Sequence, residues 1–201
     1  MTSKTNPLIE FLRGRRSWRD LPEEITLPDD LWRQMDGLWQ RSIARIAEGQ
    51  VSEWGGVLVL DEQDNLKLVN IVEGTRERVQ LRIALDRTFV GSFHTHPYAD
   101  GTTGIAFSGP DIADAVNSGE LISILQSGRD VYAVVRTDET PSHVYRESLK
   151  NRHETLHWQY LGQGMPDEQA VYYTNLDICE DCGLAMYVGR VFESLWEAYR
   201  P

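Results

Sequence analysis

The sequence predicts a mixed α/β (α+β) fold, a mostly antiparallel, curved sheet flanked by helices. Three observations predict it. Residues 31–46 carry apolar side chains at helical spacing, and short apolar runs of strand length follow from residue 51 to residue 136. Polar or Gly-containing turns separate those runs at hairpin spacing, and a helix-like stretch interrupts them after residue 110.

The elements follow in order. Residues 1–50 read as a basic arm and an amphipathic helix. Arg13, Arg15, Arg16 and Arg19 make the opening basic, either as a solvated arm or as a docking patch for an acidic partner. Pro28, Asp29 and Asp30 then suit a helix entry. Leu31, Trp32, Met35, Leu38, Trp39, Ile43 and Ile46 share one face, and Gly49 is a stop. From residue 51 to 146 the period is that of a sheet. Strands are predicted at 52–60, 66–72, 79–85, 88–96, 121–126 and 131–136, with a further short one at 142–146. A helix is expected over 111–118, closed by Gly119. Residues 147–201 read as a helical extension packed on the core. Its first helix spans 149–161, and Val188, Val191, Phe192, Leu195, Trp196 and Tyr199 lie at helical spacing in a second.

Composition bounds the function. The chain has 201 residues, enough for one domain with a full core, and its 41% hydrophobic and 25% charged residues are ordinary for a globular protein. Twenty Lys and Arg face 31 Asp and Glu, a net charge of −11, which argues against nucleic acid as a partner because phosphate binding rests on Lys and Arg. No apolar run approaches the ~20 residues that cross a bilayer, so no membrane partner is expected. The opening MTSKTNPLIEFLRGRRSWRD lacks the apolar stretch of a leader, and two cysteines exclude a disulfide scaffold. A reducing, cytoplasmic location is the expectation.

The chemistry concentrates in Gly91–Asp114. His94 and His96 lie two apart at a strand end, so both imidazoles project from one face and can reach a single cation. Ser108-Gly109-Pro110-Asp111 reads as a helix start with Ser108 as cap. Asp111, in the first turn, faces back to where it can complete a His–His–Asp set. Upstream, Glu53 opens the strand 53–60, an otherwise apolar element. A carboxylate there either faces water or needs a partner, and Gly55 and Gly56 beside it permit close backbone approach.

Taken together, Glu53, His94-Thr95-His96-Pro97 and Ser108-Gly109-Pro110-Asp111 resemble the JAMM (MPN+, or JAB-domain) zinc metalloprotease family, in the manner of a bacterial deubiquitinase-like member. The resemblance covers about residues 50 to 146. It implies a cytidine-deaminase-like JAB/MPN fold and one Zn2+ per chain held by His94, His96 and Asp111, with a water as fourth ligand. It implies that Glu53 is the general base and that Ser108 hydrogen-bonds the water and supports the oxyanion. The implied activity is that of an isopeptidase or peptidase cutting after the C-terminal glycine of a ubiquitin-like protein, in deconjugation or precursor processing. The implied partners are that ubiquitin-like protein or its conjugate, with activating (E1-like) and conjugating (E2-like) enzymes, as in bacterial antiviral-defence operons. Alternatives are an inert scaffold or binding module of the same fold, and a zinc hydrolase of unrelated small substrates.

One departure stands out. Eleven residues, Pro97 to Phe107, separate the second histidine from Ser108, more than the family usually places there. Tyr98 and Phe107, at the ends of this loop, are either substrate-binding residues lining the cleft or plain packing anchors. Elsewhere, Cys179 and Cys182 form a C-x-x-C that His153 and His157 would complete as a second zinc site. The competing readings of that pair are a redox dithiol and simple packing. His143 has no assigned role.

Overall fold

The computed structural model describes residues 6–81, 88–97 and 105–201. Among them, eight strands and five α-helices form three layers. A short helix α1 (Pro7–Leu12) leads to strand β1 (Glu24–Ile25) and helix α2 (Asp29–Ser42). The hairpin β2 (Trp54–Leu60) and β3 (Leu66–Glu73) precedes β4 (Phe89–Thr95), α3 (Gly109–Ser118), β5 (Ile122–Ser127) and β6 (Asp130–Arg136). Helices α4 (Arg146–Gly162) and α5 (Asp167–Asp181) then lead to β7 (Leu184–Arg190) and β8 (Leu195–Tyr199).

The sheet order is β1-β8-β7-β6-β5-β4-β2-β3. Every pairing is antiparallel except β4 with β5, which are joined by the crossover through α3. The sheet is therefore mixed and mostly antiparallel, as expected. Because side chains alternate along a strand, neighbours go to opposite layers. Ile124, Ala133 and Ala185 join Leu8, Leu31 and Met35 on one face. Leu125, Val134 and Met186 join Ile112, Leu149 and Ile178 on the other. Helices α1 and α2 thus cover one side of the sheet, and α3, α4 and α5 the other. No helix among the described residues is long and apolar enough to cross a membrane.

Several expectations need correction. The N-terminal segment is no free arm, since Leu8, Ile9, Phe11 and Leu12 are buried in the core. Three of its four arginines are paired, with Arg13 and Arg15 both engaging Asp64 at the β2–β3 turn. Arg19 pairs with Asp138 at 3.3 Å, and Arg16 is exposed. The second half of the C-terminal extension is a β-hairpin, not a helix. Val188 and Trp196 face each other across β7 and β8, and Phe192 in the intervening turn has φ +65°. A left-handed residue cannot sit in a continuing helix, and the open edge of β6 takes β7 as its partner. Residues 142–146 form no strand; Val144 instead exchanges hydrogen bonds with the side chain of Asn117 as the chain enters α4. Val79–Leu81 carry no strand either, and the rest of the run expected at 79–85 lies outside the described residues. Helix α5 was not anticipated at all.

Candidate metal centre

Three elements meet at the C-terminal end of β4. The first is β4 itself, whose alternation sends Ser92, His94 and His96 to the α3 side while Phe93 enters the opposite core. The second is the start of β2. Gly55 pairs with His94, and a Cβ at Gly55 would stand 2.8 Å from the Phe93 carbonyl oxygen, so glycine permits the approach that the sequence suggested. Trp54 donates its backbone N–H to Thr95 Oγ1 at 3.0 Å, locking the head of β2 to the end of β4. Glu53, one residue earlier, is held by its backbone between Thr75 O (2.7 Å, from its N–H) and the Gly74 N–H (2.8 Å, to its carbonyl).

The third element is the N-terminus of α3. Ser108 caps it: its Oγ accepts from the Asp111 N–H at 3.3 Å, and Asp111 Oδ2 accepts from the Ser108 N–H at 2.8 Å. Ser108 Oγ also donates to the same Oδ2 at 2.6 Å. This reciprocal box makes Asp111 an integral part of the helix start and orients its carboxylate. Ser108 is thus the residue that aims Asp111, with its one hydroxyl proton already committed.

The donor atoms converge. His94 Nε2 and His96 Nε2 are 3.2 Å apart, Asp111 Oδ1 is 3.7 Å from His94 Nε2, and Asp111 Oδ2 is 3.4 Å from His96 Nε2. Bonds of ~2.0–2.1 Å to a tetrahedral ion place two ligand atoms about 3.3 Å apart, so the observed spacings fit a shared cation. Among the described residues, His94, His96 and Asp111 are the one group of three or more such side chains that can hold a metal ion. Two imidazoles and a carboxylate suit zinc and neighbouring first-row ions better than calcium or magnesium, which prefer all-oxygen sets.

Electrostatics follow from burial. Burial opposes ionisation of Asp111, but the two imidazoles outweigh it and hold the carboxyl well below its ordinary range. Burial likewise pulls His96 down, and Asp111 more than compensates, leaving it raised. Glu53, only 7% exposed, is pushed up to about 7 by burial, with His96 pulling down and Asp111 pushing up. In the metal-free chain, a carboxyl group so raised can take up a proton near neutral pH, and it stands beside three side chains that could hold a cation.

These groups open onto one cleft of about 350 Å³, which Glu53, His94, Ser108 and Asp111 line together with the exposed side of α3. Ser92, Ser118, Ser123 and Glu120 line it as well, and no motif in the sequence marks them. Ser92 shares the histidines' strand face, two residues before His94, and that alternation was the available signal.

The remaining candidates separate. Phe107 is fully buried, packs its ring on His94 (centroids 6.0 Å apart) and gives its carbonyl to His153 Nε2 at 3.0 Å. It is a packing anchor and does not line the cleft. Tyr98 lies outside the described residues. The second zinc site does not assemble. His153 is committed to Phe107, His157 pairs with Asp167 at 2.9 Å, and neither joins the cysteines in a metal-binding group. Cys179 and Cys182 are free thiols buried in the layer of α4 and α5, and burial raises both, Cys182 to about 11. Raised, buried thiols are poor nucleophiles.

No protein-family model matches the chain, and neither a curated protein nor a solved structure matches it.

Proposed function

We propose that the chain is a zinc-dependent peptidase or isopeptidase that cuts after the C-terminal glycine of a ubiquitin-like protein, as its resemblance to the JAMM family implies. One observation carries the reading. The three donors of His94, His96 and Asp111 converge in the same cleft as a buried Glu53 whose carboxyl is raised to about 7.

The chain's residues divide the work. His94, His96 and Asp111 would hold the ion, which supplies Lewis acidity for a carbonyl and brings the pKa of water down to roughly 7. Glu53 accepts the proton of the attacking water and delivers it to the departing amine, a cycle suited to a buried carboxyl beside the three ligands. Ser108 holds the Asp111 carboxylate in place through two hydrogen bonds. No residue needs to act as a covalent nucleophile, which accords with the buried, high-pKa cysteines.

The test uses the purified chain. Zinc content should be one per chain and should be lost in His94→Ala. Glu53→Gln should keep the zinc and lower cleavage of a fused ubiquitin-like precursor by at least ~100-fold, the low end for general-base catalysis. Normal cleavage by Glu53→Gln refutes the mechanism. A zinc-loaded chain inert on every ubiquitin-like fusion and conjugate refutes the substrate. It favours an inert scaffold, or a hydrolase of small substrates if acetylated peptides are cut instead. Activating and conjugating enzymes as further partners belong to the same proposal.

A further inference from the structure

The far end of the metal cleft is a second polar site. Because β4 and β5 run parallel, Ser92 and Ser123 stand side by side in register. Glu120 lies in the link between α3 and β5, and Ser118 is the last residue of α3. Ser92, Ser123 and Glu120 are 5%, 4% and 8% exposed, yet all of them line the cleft.

Their hydrogen bonds converge on the carboxyl. Ser92 Oγ donates to Glu120 Oε2 at 2.6 Å, and Ser118 Oγ donates to Oε1 at 3.0 Å. Ser92 and Ser123 hydroxyls are 3.2 Å apart. Ser118 Oγ also lies 3.2 Å from the Ala115 carbonyl, and its single proton cannot serve both acceptors at once. A carboxylate offers about four lone-pair positions, so these hydroxyls leave acceptor capacity unused. No ion pair is formed by Glu120 among the described residues, whereas Asp114 at the rim is matched by Arg146 at 3.1 Å. Burial raises the Glu120 carboxyl while its serines oppose the rise, which is the state of a buried acid without a cation.

The carboxyl at this end selects the ligand. Glu120 is buried and, among the described residues, accepts from serine hydroxyls alone and has no cation beside it. An anion would find only another acceptor there, whereas a primary ammonium would bring three donors and the missing charge. Position matters too. Asp111 and Ser118 share the cleft-facing side of α3 and are seven residues apart, about 10 Å at ~1.5 Å per residue.

We propose that Ser92, Ser118, Glu120 and Ser123 form a specificity subsite that binds a primary ammonium group of the substrate in the same cleft as the bond being cut. The ammonium is that of a lysine side chain or of a chain N-terminus. The proposal rests on the peptidase reading for its meaning, but its test does not depend on finding the substrate.

The zinc-treated, 15N-labelled chain is titrated with three probes while the Ser92 and Ser123 amide signals are followed. The probes are N-acetyl-lysine methylamide, glycine methylamide and N-acetyl-norleucine methylamide. One or both ammonium probes should shift these signals, and whichever does so identifies the source. The norleucine probe should not. Glu120→Gln should weaken the binding about 10-fold or more, the worth of a charge-assisted hydrogen bond. Ser123→Ala should weaken it less and guards against a misfolded Glu120→Gln. Equal shifts with norleucine, or unchanged affinity in folded Glu120→Gln, overturn the subsite. Zinc content, measured on the same samples, separates the two readings. Ammonium binding without zinc binding sinks the peptidase and keeps the subsite, and zinc without ammonium does the reverse.

Discussion

Glu53→Gln should stabilise the metal-free fold at alkaline pH while removing the proposed base. Glu53 is held at about 7 in the folded chain against an ordinary value of 4.5, chiefly because burial penalises its charge. Below pH 4.5 the carboxyl is protonated in both folded and unfolded chains, and it costs nothing. Between 4.5 and 7 the unfolded chain releases the proton and the folded chain keeps it, so stability falls as pH rises. Above 7 both are ionised and the full cost remains. At ~1.36 kcal/mol per pH unit, the gap from 4.5 to about 7 amounts to about 3 kcal/mol. Glutamine has nearly the same shape and no charge, so it escapes this cost. Urea unfolding of both proteins at pH 4 and pH 9, with a chelator present, measures it. A chelator is needed because a bound cation would favour the charged carboxylate. Between those two pH values the wild type should lose about 3 kcal/mol more than the variant. Parallel pH profiles for the two would refute the claim that Glu53 is buried and desolvated.

Two further predictions concern the scaffold and the metal count. A Cβ at Gly91 would lie 1.7 Å from the Ile122 carbonyl oxygen, so Gly91→Ala must push β4 from β5 at the base of the site. It should cost at least ~3 kcal/mol in urea unfolding and weaken zinc binding, and a variant of normal stability would contradict the close approach. The double variant Cys179→Ala, Cys182→Ala should still bind one zinc per chain by elemental analysis. A drop in zinc content would show the thiols to be ligands.

Much of the site was legible because its signals are local. His94 and His96 are neighbours on one strand face, and the Ser108–Asp111 box is a helix-start pattern confined to four residues. Glu53 was found because a carboxyl at the head of an apolar strand is out of place. The errors arise where a local pattern admits two answers. Val188, Val191, Leu195 and Tyr199 satisfy a helical period, yet the segment folds as a hairpin because it meets the unpaired edge of β6. Helix α5 was hidden for the opposite reason. Its buried stripe, Ala170, Val171, Thr174, Asn175, Ile178 and Cys179, has helical spacing but is half polar or small. The basic opening drew attention to its arginines, while Leu8, Ile9, Phe11 and Leu12 carry the packing.

By itself the sequence determined that the chain builds a mostly antiparallel sheet with helices. It also determined that a His–His–Asp set and a displaced glutamate are available. Periodicity and helix capping act within a few residues, and no distant partner is needed to express them. Only the tertiary structure decided that the N- and C-terminal segments meet, with β1 pairing to β8, and that Cys179, Cys182, His153 and His157 form no metal-binding group. It alone brought Ser92, Ser118, Ser123 and Glu120 into the cleft that His94 and Asp111 line. These outcomes depend on strand order and on burial, which arise when segments far apart in sequence compete for the same edges and the same core.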